Sequence, residues 1–372
     1  MKIAIISDGI WPEKIGGIQK HTYELIGSLS ALGIETGVFY ISKNPDQFKR
    51  LFFKHVYLFP VQINAIPSFF PGHYLFNLYF KSHKVRRELI NSHFNPDFVF
   101  IQGLIGWAFK NTSLKTISHL HGLEMFQKSF SFKEKIFKKA FQFIAKSIVK
   151  HSDYQCFYGP YSASILQSLK AKKLILFPNA VRLIQNKSLG NITRELYPKN
   201  QPLSFVYLGR YEFRKGIPLL IKVLRELADN FQFEFHFIGP IPPKAQFIHP
   251  KITYHGIINQ EQKIRILLKK ASVLVLPSFA EGMPTCILEA MSEKTTIIAT
   301  NVGENALLVD ESNGWLIVPN QKFALKNAME KALKSDPQTL LNKGEKSYQI
   351  VKNQFTWDKV VSNFINQLNS AI

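Results

Sequence analysis

Short apolar runs rich in β-branched and aromatic residues alternate along the chain with longer stretches whose apolar positions recur every three or four residues. One set of runs falls at 2–7, 35–42, 55–61, 98–102, 115–119, 154–158 and 173–177. A second falls at 204–208, 233–238, 252–255, 272–276, 295–300 and 315–318. Runs this short and this apolar suit strands buried on both faces, as in a parallel sheet covered by helices. Their alternation with helical patterns predicts doubly wound α/β units. Between the sets, 185–202 (QNKSLGNITRELYPKNQP) is rich in Asn, Lys and Pro and has no period, so it reads as a linker. The expected layout is a Rossmann-like domain over 1–184, the linker at 185–202, a second Rossmann-like domain over 203–354, and a final helix within 355–372.

Composition agrees with that layout. The chain has 372 residues, 46% hydrophobic, enough for two domains with full cores. Cys156 and Cys286 cannot make a disulfide framework or a zinc site and read as reduced thiols, so a cytoplasmic setting is expected. The opening run MKIAIISDGI is too short for a signal-peptide core. The charge is +21, from 47 Lys and Arg against 26 Asp and Glu. Residues 1–182 carry 24 basic and 10 acidic side chains, and 183–372 carry 23 and 16. The excess in the first half points to a polyanionic partner: nucleic acid, anionic lipid or a phosphorylated acceptor.

Polar residues gather where the expected strands end, among them Asp8, Gln102, His119, His121, Asn179, Arg210 and Ser278. In open α/β sheets, ligands bind outside the carboxyl ends of strands. Gly16 and Gly17 stand between the first strand and a helical stretch, where backbone can approach a ligand and helix N–H groups are free. The same pair also suits an ordinary flexible loop. Arg210, Arg214 and Lys215 follow a strand in LGRYEFRKG and could clamp phosphate oxygens, or form a solvated basic loop. In SFAEGMPTCILEAM (278–291), Pro284 suits the first turn of a helix. Glu281 precedes that helix, and Glu289 follows with seven residues between them. Carboxylates so spaced can address one elongated ligand, accepting hydrogen bonds from paired hydroxyls.

Taken in order, these motifs resemble glycosyltransferase family 4. They are IGGIQKHTYEL (15–25), HLHGLE (119–124), FPNAV (177–181), LGRYEFRKG (208–216), YHGII (254–258), PSFAEGMPTCILEAM (277–291), NGWLIVP (313–319) and FTW (355–357). The resemblance implies a retaining enzyme of GT-B architecture, two Rossmann-like doubly wound parallel-sheet domains facing across a cleft. It implies an N-terminal domain for the acceptor, a C-terminal domain for the nucleotide-sugar, and a last helix that crosses back to the first domain. By the same resemblance Gly16 and Gly17 meet the donor diphosphate, and Arg210 and Lys215 hold it as well. Glu281, with Gly282, Met283 and Pro284, binds the donor sugar, Glu289 the ribose, and Asn179 belongs to the donor site. The implied catalytic residues are His121, Glu281, Arg210 and Lys215. Ala180 departs from the glycine the family often has after Pro-Asn. No Asp-x-Asp and no His/Asp cluster suited to Mn²⁺ or Mg²⁺ stands in the sequence, so no metal and no other cofactor is expected.

The stretch 132–150 reads as an amphipathic helix, with Phe137, Phe141, Ile144 and Ile148 on one stripe and Lys135, Lys139, Lys146 and Lys150 roughly opposite. A basic amphipathic helix can lie on an anionic membrane surface, or simply pack by its apolar face. Residues 55–80 hold no Asp, Glu, Lys or Arg, yet prolines at 60, 67 and 71 exclude a membrane span there. The leading expectation is transfer of a hexosyl-type sugar from a UDP- or GDP-linked donor to a glycan or lipid-linked acceptor. That chemistry belongs to lipopolysaccharide, other cell-envelope polysaccharide or glycolipid synthesis, at the cytoplasmic face of the membrane. A nucleotide-sugar epimerase of the same fold and a basic nucleic-acid-binding protein are the alternatives; no nucleic-acid recognition motif accompanies the charge, so nucleic acid is not the expected partner.

Overall fold

The computed structural model describes residues 1–43, 53–64, 66, 67, 69, 72–127, 129, 132–183 and 202–370. The expected linker at 185–202 lies outside them apart from Pro202, as do parts of 55–80. The chain divides into two compact units, Met1–Pro178 with Trp357–Ile372, and Asn179–Thr356. The division after Pro178 falls ahead of the expected boundary at 184, because Val181 bridges Thr356 and its N–H donates to Phe355 O at 2.9 Å within the second unit.

The first unit is built on seven parallel strands: β1 (Lys2–Ser7), β2 (Glu35–Ile41), β3 (Val56–Val61), β4 (Phe98–Gln102), β5 (Thr116–His119), β6 (Tyr154–Phe157) and β7 (Leu174–Leu176). Their order is β3-β2-β1-β4-β5-β6-β7. Strand β4 (FVFIQ) is buried along its whole length, so both faces are covered, as expected for a parallel sheet between helix layers. One cover is the last helix, Trp357–Asn369, which buries Trp357, Val360, Val361, Phe364 and Leu368 in this unit.

The second unit repeats the plan with β8 (Leu203–Leu208), β9 (Phe233–Ile238), β10 (Ile252–Tyr254), β11 (Val273–Leu276), β12 (Thr296–Thr300) and β13 (Gly314–Ile317). The order is β10-β9-β8-β11-β12-β13, again all parallel. Phe205, Tyr207, Phe233, Phe235 and Phe237 fill its core. The helix Ile217–Ala228 (IPLLIKVLRELA) shows why the sequence packs here. Ile217, Leu220, Val223, Leu224 and Leu227 recur at helical spacing and are all buried, and Pro218 sits in the first turn, where its missing N–H costs nothing.

Strand order reverses once in each sheet, between β1 and β4 and between β8 and β11. Loops leaving neighbouring strands at such a point diverge to opposite faces and open a crevice at the carboxyl ends. Each unit places its chemistry-bearing residues there.

Candidate functional site

In the second unit, the loop after β8 and the loop after β11 are fastened to each other. The N–H of Phe279 donates to Arg214 O at 2.6 Å. Gly216 has φ 70°, and a Cβ on it would lie 2.0 Å from Pro277 O, so only glycine lets these backbones approach. That approach sets the side-chain register. Lys215 Nζ lies 2.6 Å from Glu281 Oε1, and Arg214 Nη1 lies 3.4 Å from Glu281 Oε2 and 3.1 Å from Ala280 O. Glu212 holds Arg214 Nε at 2.8 Å and Arg210 Nη2 at 2.9 Å. In these ion pairs Arg210, Arg214 and Lys215 are held by two carboxylates, Glu212 and Glu281.

The resemblance pairs Arg210 with Lys215, but burial separates them. The Glu281 side chain is 5% exposed and its ion-pair partners are Lys215 and Arg214. Arg210 is 76% exposed and pairs with Glu212. Arg214 is thus the arginine that stands beside Glu281. Glu212, which the sequence does not single out, pairs with two of these cations.

A third loop, after β12, completes the surround. Gly303 has φ 56°, and a Cβ there would lie 2.4 Å from both Glu281 O and Gly282 O. The neighbouring Glu304 N–H donates to Gly282 O at 2.8 Å, and the Glu304 side chain is buried. Neither Gly303 nor Glu304 is among the residues the sequence singles out. Asn179 holds the same loop from the other side: its Nδ2 donates to Met283 O at 2.6 Å. Met283 is buried, and Gly282 is half-buried. Pro284 is the cap residue with ψ 120°, one place earlier than the expected first turn, because the helix Thr285–Ser292 starts at the next N–H. Glu289 lies on that helix, half-buried. Cys286 is half-buried, and burial pushes its thiol up to about 12.

In the first unit, Gly16 caps the helix Gly17–Ala31, which has no side-chain cap and no acid in its first turn. Nothing lies within 4 Å of where a Gly17 Cβ would stand. One turn on, the helix places His21 against the ends of β4 and β5. His21, His119 and His121 offer ring nitrogens within 4.8 Å of one another. Their ring centroids are 4.6 Å (His21–His121), 4.0 Å (His119–His121) and 5.3 Å (His21–His119) apart. The sequence, read for a His/Asp cluster suited to Mn²⁺ or Mg²⁺, does not assemble this group of three imidazoles. His21 stands far from the other two in sequence, and only the β1–β4–β5 pairing brings it to them.

Gln102 ties this group together. Thr22 Oγ1 donates to Ile18 O at 2.7 Å and accepts from Gln102 Nε2 at 2.7 Å. That directs Gln102 Oε1 to His121 Nε2 at 2.6 Å and His21 Nδ1 at 3.1 Å, so both of these nitrogens carry the proton. Burial pushes the His21 imidazole down to about 3, against the opposing Gln102 hydrogen bond. Burial, reinforced by the neighbouring imidazoles, also holds His119 and His121 well below their ordinary range. His121 has φ 58°, a left-handed backbone uncommon for a residue with a side chain.

The helix Phe132–His151 differs in part from its expected faces. Ile144 and Ile148 are buried and Phe141 half-buried, but Phe137 is 63% exposed, together with Ile136 and Phe143. Among the described residues, the packed cluster that includes Leu78 and Leu166 takes Ile144, Ala145, Ile148 and Val149 from this helix and does not include Phe137. Lys135, Lys139, Lys146 and Lys150 are all exposed. Among the described residues, no helix is long and apolar enough to cross a membrane.

Comparison with known proteins places these features in one family. Two family models match, "Glycosyltransferase Family 4" over residues 15–184 and "Glycosyl transferases group 1" over residues 202–335. An uncharacterized glycosyltransferase of Methanocaldococcus jannaschii is 24% identical over 369 residues, covering 96% of this chain and 95% of that one. An O-antigen chain mannosyltransferase C of Escherichia coli is 22% identical over 382 residues, covering 98% and 97%. Among solved structures, a sucrose-phosphate synthase of Thermosynechococcus elongatus superposes with a TM-score of 0.81 at 20% identity, over 100% of both chains. With two Rossmann-like parallel-sheet units and these matches along its length, the chain belongs to glycosyltransferase family 4, the group 1 glycosyltransferases of GT-B architecture.

Proposed function

We propose that this chain moves a hexosyl-type sugar from a UDP- or GDP-linked donor to a glycan or lipid-linked acceptor, with retention and without a metal cofactor. The observation that carries the reading is the buried Glu281 held by Lys215 and Arg214 at the switch point of the second sheet. A carboxylate fixed by two cations is an oriented acceptor for sugar hydroxyls. The same cations, with Arg210 at the exposed edge, face the charge that grows on a diphosphate leaving group as the glycosidic bond breaks. Glu289 takes the ribose hydroxyls, Asn179 shapes the Gly282–Pro284 loop, and Gly16 and Gly17 offer helix N–H groups to phosphate. His121, hydrogen-bonded through Nε2 to Gln102, serves the reacting sugar in its neutral form. The likeness to an O-antigen chain mannosyltransferase supports an acceptor of cell-envelope polysaccharide or glycolipid type, used at the cytoplasmic face of the membrane.

Thermal stabilisation against UDP, GDP, ADP and CMP and their sugars tests the donor class, since a ligand bound only by the folded chain adds about 2.7 kcal/mol at a hundredfold excess over Kd. One nucleoside diphosphate is expected to raise the melting temperature, and Glu281→Ala is expected to nearly abolish transfer in a chain that still melts cooperatively. Wild-type turnover in that variant would sink the assignment of Glu281. Transfer is expected to survive EDTA; a strict Mn²⁺ requirement would overturn the metal-free clamp. Product formation that needs no acceptor would replace transfer by epimerisation.

A further inference from the structure

We propose that Asp8, with Lys14, Lys81 and Tyr74, binds the hydroxyls of a neutral sugar unit on the acceptor, an assignment that rests on the transferase reading above. Asp8 is the first residue after β1, at the switch point of the first sheet. Both oxygens of its carboxylate are held. Lys14 Nζ lies 2.7 Å from Oδ2, and Lys81 Nζ lies 2.8 Å from Oδ1. Lys14 Nζ also donates to the Asp8 carbonyl oxygen at 2.8 Å, so one ammonium grips main chain and side chain together.

The grip is assembled from separate parts of the unit. Lys14 belongs to the loop after β1, and Lys81 to the helix His73–Asn91. Gly9 has φ 133°, and a Cβ on it would lie 2.7 Å from Lys14 Cδ, so glycine there lets the lysine stem cross the backbone towards Asp8. Tyr74 stands about two turns before Lys81, on the same face of that helix. Burial and then the Asp8 charge raise its phenol above the ordinary value, so it stays a neutral hydroxyl within the field of the carboxylate. Ion pairs as exposed as these add little to stability, so the fold alone gives scant reason for the convergence.

The second sheet has the same arrangement at its own switch point, where Glu281 sits between Lys215 and Arg214. The Glu281 side chain is 5% exposed and that of Asp8 35%, so the carboxylate of the first unit is open to a ligand. The chemistry selects hydroxyls. A carboxylate oxygen accepts more than one hydrogen bond, so a lysine on each leaves capacity for paired hydroxyls. Tyr74 adds an apolar ring and a polar tip. A phosphate is the poorer fit: it would meet the Asp8 charge, and Lys14 already directs two donors to Asp8.

The test is saturation-transfer difference NMR with neutral probes: methyl α-mannoside, methyl α-galactoside and methyl N-acetyl-α-glucosaminide. It uses the full chain carrying Glu281→Ala, so that the carboxylate of the second unit contributes nothing. At least one probe is expected to give a signal that an equal concentration of inorganic phosphate does not displace. Adding Asp8→Ala is expected to reduce that signal several-fold, and adding Lys81→Met to weaken it, with cooperative melting retained in both. No signal from any probe, a signal undiminished in a folded Asp8→Ala chain, or displacement by phosphate would overturn the site. The melting shift of the wild-type chain with nucleoside diphosphates reports the transferase reading separately. A shift without hexoside contact removes this site alone, whereas hexoside contact without any shift counts against the transferase reading.

Discussion

The Lys215–Glu281 contact is short, at 2.6 Å, and mostly removed from water. Removing one partner of a buried ion pair leaves the other charge uncompensated, at roughly 3–5 kcal/mol. Arg214 remains 3.4 Å from Glu281, so Lys215→Met is expected near the lower end of that range in chemical denaturation, together with a large loss of donor binding. Gly303→Ala acts on the same carboxylate from its backbone side. A methyl group there meets two carbonyl oxygens at 2.4 Å and requires a left-handed conformation, so a loss of at least ~2 kcal/mol is expected, with weakened nucleotide binding. A variant that melts and binds like the wild type would show that the loop yields more easily than its contacts imply.

The histidine group gives the molecule a pH signature. All three imidazoles have folded-state values below the ordinary one, so between about pH 6.5 and His21's value of about 3 the unfolded chain binds protons that the folded chain refuses. Stability therefore falls as pH drops through that window. The melting temperature is expected to decline below about pH 6.5, and less steeply in His119→Leu, which removes one of the refused protons; an identical slope in the two chains would contradict this account.

Among the elements, the helix Phe132–His151 carries the sharpest contrast between sequence and structure. Lys135, Lys139, Lys146 and Lys150 lie exposed as the period suggests, but Ile136, Phe137 and Phe143 are exposed too, and the helix His73–Asn91 adds exposed Phe76, Tyr79 and Phe80. Tyr74 meets Phe141 edge-on at 5.5 Å, so the two helices pack as neighbours. Aromatic rings and lysines presented together suit an anionic lipid surface, where each nearby cation contributes about 1 kcal/mol. The protein is expected to co-sediment with vesicles containing anionic phospholipid at low salt. Replacing Ile136, Phe137 and Phe143 with serine should reduce the bound fraction several-fold without lowering the melting temperature. Equal sedimentation of the two chains would remove membrane attachment from the functional reading.

At this same scale the sequence is most informative. Each of the thirteen strands lies within a residue or so of its expected run, because parallel strands buried on both faces have to be short and apolar. The turns bearing Gly16, Lys215 and Glu281 follow from where those strands end. What the sequence hides is which turns meet. Arg210 and Arg214 are equal as letters, and only the bond from Phe279 N–H to Arg214 O brings the second of them to Glu281. Gln102 is marked by its place at a strand end, but His21 looks like an ordinary helix residue until the strand order sets it beside His121. Pairing between loops depends on sheet order and backbone approach, and neither leaves a local period.

For the whole molecule, the same strand plan used twice places one polar crevice in each unit, with acid and cations in the second and neutral imidazoles in the first. The first unit is assembled from both ends of the chain. Phe364 packs on Phe100 and Phe177 at 5.5 and 4.7 Å, Gln367 exchanges hydrogen bonds with both backbone groups of Leu176, and Trp357 meets His21 at 4.9 Å. Ending the chain after Thr356 is expected to open the first unit to limited proteolysis while 202–356 stays protected.

The returning helix also bears on how the protein is made. Domains are generally completed in the order they leave the ribosome, the N-terminal one first. Here that order is inverted. All residues of the second unit emerge while the first still lacks the helix that covers Phe100 and Phe177, so the half begun first is finished last. During that interval an incomplete sheet, its apolar surface bare, waits for the final segment of the chain, and a premature stop anywhere in the last helix would strand it there.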